Sequence, residues 1–247
     1  MENVTILIQG KVTQETYNFY VEAYPQTPIV VSTWSDNDVD LSYFPHNLKL
    51  VKSRLPKING EQNMNYQFVS TLNGLGLVDT EYVIKVRGDE YYSNFQSVYE
   101  QLKSTPNKIL SAPIFFRHFS HFKYHISDHI IAGKTSEIKF MFGAAKYAFD
   151  NSLLYHEKNG KRWSYWEPEI NLTMGYLMAK YPNDFHEKNG PKLMVEHFDI
   201  IDLPKLKPYK VVANIFRKFW YSDFNPYNNE SINDIKELLN EHPPYNR

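Results

Sequence analysis

The 247-residue chain contains no cysteine. That removes a disulfide framework, a thiolate nucleophile, an iron–sulfur cluster and every thiolate zinc site, so any metal must rest on oxygen or imidazole. It also lacks an excess of charge of either sign: 27 Lys and Arg stand against 28 Asp and Glu, a formal net charge of -1. No global field draws it to nucleic acid or an acidic membrane, and a charged ligand has to be held locally. No apolar run approaches the ~20 residues of a membrane-spanning helix. The amino end has neither the basic lead nor the long apolar core of a signal peptide, so a cytoplasmic location is expected. Only 10 glycines occur, and neither the Walker nor the Rossmann glycine pattern is among them, which disfavours a nucleotide triphosphatase or a dinucleotide enzyme.

Aromatic residues are 16% of the chain and hydrophobic residues 42%, enough for a sizeable core at this length. Val4 to Ile8 is a continuous apolar run too short for a helix, as a strand covered on both faces requires. Tyr17, Tyr20, Val21 and Tyr24 follow at helical spacing, and Pro25 and Pro28 punctuate a return into Ile29–Thr33. A third strand at Leu48–Val51, a helix over about Glu61–Leu77 and a strand at Tyr82–Val86 complete the first ninety residues. The second half predicts a strand from Ile109 to Phe116 and another near His129–Ala132. Helices over about Ser136–Phe149 and Glu167–Lys180 follow, with a strand-like stretch around His197 and a last helix at Ser231–Leu239. Strands alternating with helices predict an α/β fold: an open, mostly parallel twisted sheet with flanking helices in a single domain. In such a sheet ligands collect at the carboxyl ends of the strands.

Those ends carry Gln9-Gly10-Lys11, Thr33-Trp34-Ser35-Asp36 and Lys85-Val86-Arg87-Gly88-Asp89-Glu90. In the last cluster a β-branched strand stops in a cation, a glycine and two adjacent carboxylates. A glycine lets backbone approach a ligand, and a carboxylate beside it can hold Mg²⁺ or Mn²⁺, which take oxygen ligands shared with phosphates. The competing reading is a solvated turn with an Arg87–Glu90 ion pair, and for Trp34 an ordinary core position. Trp166-Glu167-Pro168-Glu169 places two carboxylates at a helix start, where the dipole favours the ionised form and suits a base. Helix capping is the plainer account of the same acids. Asp128 precedes an apolar strand and is placed to face a cleft floor, or else is a turn residue. His118, His121 and His125 are read as an aromatic-lined loop or acceptor wall in surface-like contexts. His197 is either a metal ligand or a structural histidine. Val211–Tyr221 carries an apolar helical face with basic residues nearby, compatible with a buried helix or with peripheral membrane contact.

Several of these segments, in this order, resemble the WavE family of lipopolysaccharide-synthesis glycosyltransferases, of GT-A type. They are Ile6-Leu7-Ile8-Gln9-Gly10, Val30-Val31-Ser32-Thr33-Trp34, Ile84–Glu90 and Ser127–Gly133. The resemblance implies transfer of a sugar from a nucleotide-diphosphate donor to a glycan or lipid-linked acceptor, assisted by Mn²⁺ or Mg²⁺ and inverting. It assigns donor contacts to Gln9, Gly10, Lys11, Thr33, Trp34, Lys85, Arg87 and Gly88, and metal contacts to Asp89 and His197. Asp89 takes the last place of the usual Asp-any-Asp motif, and Arg87 the first. Glu169 or Glu167 is the implied base, with Asp128 as a third candidate. Residues 1–105 would form the donor half and 106–247 the acceptor half of one GT-A-like domain.

Two other functions compete. A non-catalytic carbohydrate or nucleotide-sugar binding module would explain the 19 Tyr, 16 Phe and 4 Trp, since sugar faces stack on aromatic rings. Metal-dependent phosphodiester hydrolysis would need Asp89, Glu90 and His197 brought together.

Overall fold

The apolar run at the amino end forms strand β1 (Val4–Gln9), and all six of its residues are buried. Thr13 then caps helix α1 (Gln14–Ala23) by accepting the Thr16 amide proton at 3.1 Å. Strands β2 (Ile29–Trp34) and β3 (Leu48–Ser53) follow. The helix expected from Glu61 begins as a short 3-10 turn and becomes α2 (Met64–Leu75), leading into β4 (Tyr82–Arg87). Next come β5 (Tyr91–Ser93), α3 (Phe95–Ser104), β6 (Ile109–Ser111), β7 (Ile130–Lys134) and α4 (Thr135–Asp150). The remaining elements are β8 (Tyr155–Lys158), β9 (Lys161–Ser164), α5 (Pro168–Lys180), α6 (Gly190–His197), β10 (Phe198–Ile200) and β11 (Lys207–Lys210). The computed structural model describes residues 1–40, 45–112, 124–158, 161–164, 167–186, 189–201 and 207–210.

Seven strands form the main sheet in the order β10-β6-β7-β4-β1-β2-β3. Pairing is parallel from β4 through β1 and β2 to β3, and between β10 and β6. Strand β7 runs against both of its neighbours, β4 and β6. The sheet is therefore mixed, with one reversed strand inside the mostly parallel arrangement the sequence predicts. That reversal matters to function, because the chain entering β7 arrives at the end of the sheet where β1, β2 and β4 leave it.

Side-chain alternation sorts the core into two layers, as a sheet covered on both faces demands. Val4, Ile6 and Ile8 of β1, with Ile84 and Val86 of β4, pack with Tyr17, Tyr20, Phe95 and Leu102 of α1 and α3. Leu7, Val30 and Val83 point the other way, toward Phe68, Met141, Phe142 and Leu172 of α2, α4 and α5. Helices α4 and α5 touch backbone to backbone at Gly175, where a β-carbon would stand 2.6 Å from the Ala145 Cα. Gly175→Ala should therefore destabilise the protein by about 2 kcal/mol, overpacking outweighing the gain in helix propensity. A urea unfolding curve with a lowered midpoint and unchanged slope checks this.

Three sequence expectations change. The strand from Ile109 is broken after Ser111, and the rest of its expected course, residues 113–116, lies outside the described residues. His197 is not in a strand but is the last residue of α6, one position before β10. Helix α3, which has no counterpart in the sequence reading, is positioned by the buried residues Phe95, Val98 and Leu102. The segments Val211–Tyr221 and Ser231–Leu239, with His118, His121 and Trp166, lie outside the described residues. Among the described residues no helix is long and apolar enough to cross a membrane.

Candidate active site at the strand tips

The tips of β1 and β4 are joined by backbone. Gly88 donates its amide to the Gln9 carbonyl at 2.8 Å, and the Gly88 carbonyl accepts from the Thr13 amide at 2.9 Å. A β-carbon at Gly88 would lie 2.7 Å from the Lys11 carbonyl oxygen and 2.9 Å from the Val12 Cα, so this crossing admits only glycine. Gly10 takes φ 97°, a left-handed conformation that turns the chain sharply out of β1. Its amide donates to Ser32 of β2 at 3.0 Å.

A single side chain fastens the tip of β2 to the same place. Buried Asn37 accepts from the Val12 amide (2.9 Å) and the Thr33 hydroxyl (2.9 Å), and its amide group donates to the Val12 carbonyl (3.1 Å). Gln9 in turn donates to the Ser70 hydroxyl of α2 at 2.6 Å. Thr33 and Trp34 are both buried, and Trp34 packs at 5.3 Å against Tyr66. These two belong to the wall of the site rather than to its open rim. Lys11 is exposed and has no ion-pair or hydrogen-bond partner among the described residues.

The charged turn after β4 holds the Arg87–Glu90 ion pair the sequence suggests and adds a closer one to Asp89. Arg87 clasps Asp89 through both carboxylate oxygens, Nε and Nη2 each at 3.1 Å, and approaches Glu90 at 3.4 Å. Arg87 and Asp89 are each about one-third exposed. Glu90 is fully buried instead, accepting from the Tyr92 hydroxyl at 2.6 Å and lying 2.7 Å from His129 Nδ1.

The segment entering β7 supplies the opposite side. Buried Asp128 accepts from Gln67 of α2 at 2.5 Å, and its backbone carbonyl accepts from the Lys85 ammonium at 2.5 Å. Burial alone would raise the Asp128 pKa. The positive charges of Lys85, His129, Arg87 and His125 outweigh it and hold the carboxyl below its usual range. Burial pushes the Lys85 ammonium the other way, lowering its pKa. A carboxyl depressed in the folded state adds stability that is present above its unfolded value and lost as pH falls through the folded one. The stability advantage of the native chain over Asp128→Asn should therefore be full above pH ~5 and shrink as pH drops below ~4. Parallel thermal melts across that range give the test.

The amino end of α5 completes the cleft. Glu167 is its N-cap, with its backbone carbonyl accepting from Asn171 and no cap bond from its own carboxylate, and Pro168 occupies the first turn. Glu169 sits one residue further in, its carboxylate 3.8 Å from His125 Nε2. His125 is buried, contrary to the surface context its sequence neighbourhood suggests, and His129, just before β7, is buried too.

His197 is the residue the fold does not bring here. Its neighbour Phe198 pairs with Ile109, and the register runs across β6 and β7 to the middle of β4. That leaves His197 about 13 Å short of the strand tips and about 14 Å to the side of Asp89, counted in residue and strand spacings. It stacks on Tyr181 at 4.5 Å, and burial lowers its pKa. The structure adds three residues that sequence reasoning passed over, namely Gln67, Asn37 and Ser70. For Gln67 and Ser70 the available signal was a polar stripe, with Thr71, on an otherwise apolar helix face.

The α/β body with this polar end is a mostly parallel sheet flanked by helices. The family model described as WavE lipopolysaccharide synthesis matches residues 7–192, and the chain belongs to that family. No curated protein matches it. Among solved structures the chain is similar to galactosyltransferase LgtC in complex with donor and acceptor sugar analogs, at TM-score 0.43 and 10% identity over 70% of each chain. An active-site mutant of LgtC gives TM-score 0.43 and 10% identity over 69% of this chain and 70% of that one. HddC from Yersinia pseudotuberculosis gives TM-score 0.36 and 10% identity over 56% of this chain and 79% of that one.

Proposed function

We propose that the chain transfers a sugar from a nucleotide-diphosphate donor to a glycan or lipid-linked acceptor, with the diphosphate held at the joined tips of β1, β2 and β4. The observation that carries this reading is the close backbone crossing at Gly88, with the cations Lys11 and Arg87 beside it and the buried Asp128 carboxyl near enough to Lys85 and Arg87 for their charges to hold it below its usual range. Residues 1–105 then form the donor half, and the loop into β7 and the start of α5 lie in the acceptor half.

In the reaction the bond between the anomeric carbon and the diphosphate oxygen breaks, and its electron pair stays on the diphosphate. The acceptor oxygen bonds to the opposite face of that carbon and gives its proton to Glu169, so one displacement inverts the sugar. Asp128, held by Gln67 and kept ionised, accepts hydrogen bonds from donor-sugar hydroxyls. Lys11 and Arg87 stabilise the charge that develops on the leaving group.

The residues around Asp89 do not fit a resident Mn²⁺ or Mg²⁺. Both Asp89 oxygens are occupied by Arg87, Glu90 is buried against Tyr92 and His129, and His197 lies elsewhere. Among the described residues no three His, Asp or Glu side chains gather as a metal site. No step is routed through an ion. Because His197 lies away from Asp89 and Glu90, metal-dependent phosphodiester hydrolysis finds no support, and a non-catalytic module would bind a donor without turning it over.

Slow hydrolysis of a panel of UDP-, GDP- and dTDP-sugars by the purified chain tests the proposal. Turnover of one donor class is expected; neither turnover nor binding with any donor would sink the reading.

A further inference from the structure

The pairing of Arg87 with Asp89 has a direct bearing on how the leaving group is stabilised. A guanidinium carries five N–H donors in a planar fork that fits phosphate oxygens. In Arg87, Nε and Nη2 are taken up by Asp89 and Nε also approaches Glu90, while Nη1 has no partner among the described residues. The Arg87 side chain is about one-third exposed. Lys11 is exposed and unpaired on the same rim, across the Gly88 crossing. Together the two side chains match the two negative charges of a sugar nucleotide's diphosphate.

A divalent ion meets the opposite conditions. Mg²⁺ and Mn²⁺ are hard ions that need several oxygen ligands at close range. After β4, among the described residues, Asp89 is the partly exposed carboxylate and Glu90 the buried one, and an ion reaching Asp89 must displace a bidentate cation and then sit beside it. Glu90, the second carboxylate, has no exposed surface and is engaged by Tyr92 and His129.

We infer that Arg87, not a metal ion, neutralises the departing diphosphate, and that Asp89 is the guanidinium's resting partner, exchanged for phosphate oxygens when the donor binds. This rests on the donor reading above and deepens it. As the bond from the anomeric carbon to the diphosphate oxygen breaks, the terminal phosphate gains one negative charge and Arg87 donates to it. Asp89, left by the guanidinium, faces solvent and is hydrated.

The test is calorimetric titration of UDP, GDP and dTDP into the full chain, in EDTA and again in Mn²⁺. At least one nucleotide is expected to bind in EDTA with an affinity within about threefold of that in Mn²⁺, and Arg87→Ala should weaken that binding at least about tenfold, the scale of one charge-assisted phosphate contact. Asp89→Asn keeps the shape but removes the competing charge, so it should tighten binding several-fold. A carboxylate that holds metal requires the reverse: binding lost in EDTA, and lost in Asp89→Asn even with Mn²⁺. Either result overturns the inference while leaving the donor reading intact. Binding of no nucleotide in either condition overturns the donor reading and this inference with it. Thermal melts accompany each variant; should Arg87→Ala not fold, Arg87→Lys, which keeps the charge and loses the fork, must still bind more weakly than the native chain, and equal binding refutes the role.

Discussion

Replacing Glu169 with glutamine is expected to slow transfer to acceptor by about 10²- to 10⁴-fold, the range that a positioned general base contributes. Nucleoside diphosphate affinity should stay within about twofold, because the lost interaction forms only as the acceptor proton moves. Glu169 is preferred over its neighbours on geometry. Its carboxylate is partly exposed and stands 3.8 Å from the buried His125 ring, three residues before Asp128, whereas Glu167 serves α5 through its backbone carbonyl. Asp128 is already surrounded by cations that favour its ionised form, which makes it a poor proton acceptor and a good partner for hydroxyl groups. Transfer assays on Glu169→Gln, Glu167→Gln and Asp128→Asn separate the three. A fall in transfer confined to Glu167→Gln, with Glu169→Gln near native rates, would remove the assignment.

Lys85→Met carries the largest expected effect on folding. The ammonium has no exposed surface, and its donor is held by the Asp128 carbonyl. Methionine fills much the same space but leaves that carbonyl without its donor and takes from the Asp128 carboxylate its largest compensating charge. The cost should be about 3 kcal/mol, the upper range for a hydrogen bond to a charged group. For a chain of this size that lowers the melting temperature by about 6–12 °C. Calorimetry or circular dichroism melts measure it, and a shift of under about 2 °C would show that the neighbouring cations replace Lys85 fully.

The first half of the fold was legible because its strands are short apolar runs closed by polar tips, and each tip could be read for chemistry. Val4–Ile8, Ile29–Thr33 and Tyr82–Val86 fall within one residue of the observed strands at either end. The reversed direction of β7 was not legible, since Ile130–Gly133 is buried on both faces whichever way it runs. Helix α3 was hidden for a related reason. Its buried face is carried by Phe95, Val98, Tyr99 and Leu102, and the run begins two residues after the end of β5, with no side-chain cap to announce it.

The cluster at Lys85–Glu90 was found from its composition, and spacing gave one of its two pairs, Arg87 with Glu90. The closer, two-bond pairing of Arg87 with Asp89 was not legible, because it depends on Glu90 being drawn into the core by Tyr92 and His129. His197 misled because a run such as Val195–Asp199 reads equally as a strand. In the structure it spans the end of α6 and the start of β10, at the far end of the sheet. Gln67 and Asn37 act at a distance in sequence, 61 and 25 residues from the groups they hold, and no local pattern records such contacts.

The Asn37 side chain closes a ring of bonds around Val12 from within the protein. The loop leaving β1 is therefore stiff in advance, and a nucleotide settling on it forfeits little chain motion on arrival. Its association should resemble capture by a ready-made cradle, and the Val12 amide hydrogen should trade with solvent deuterium slowly whether the cradle is full or vacant.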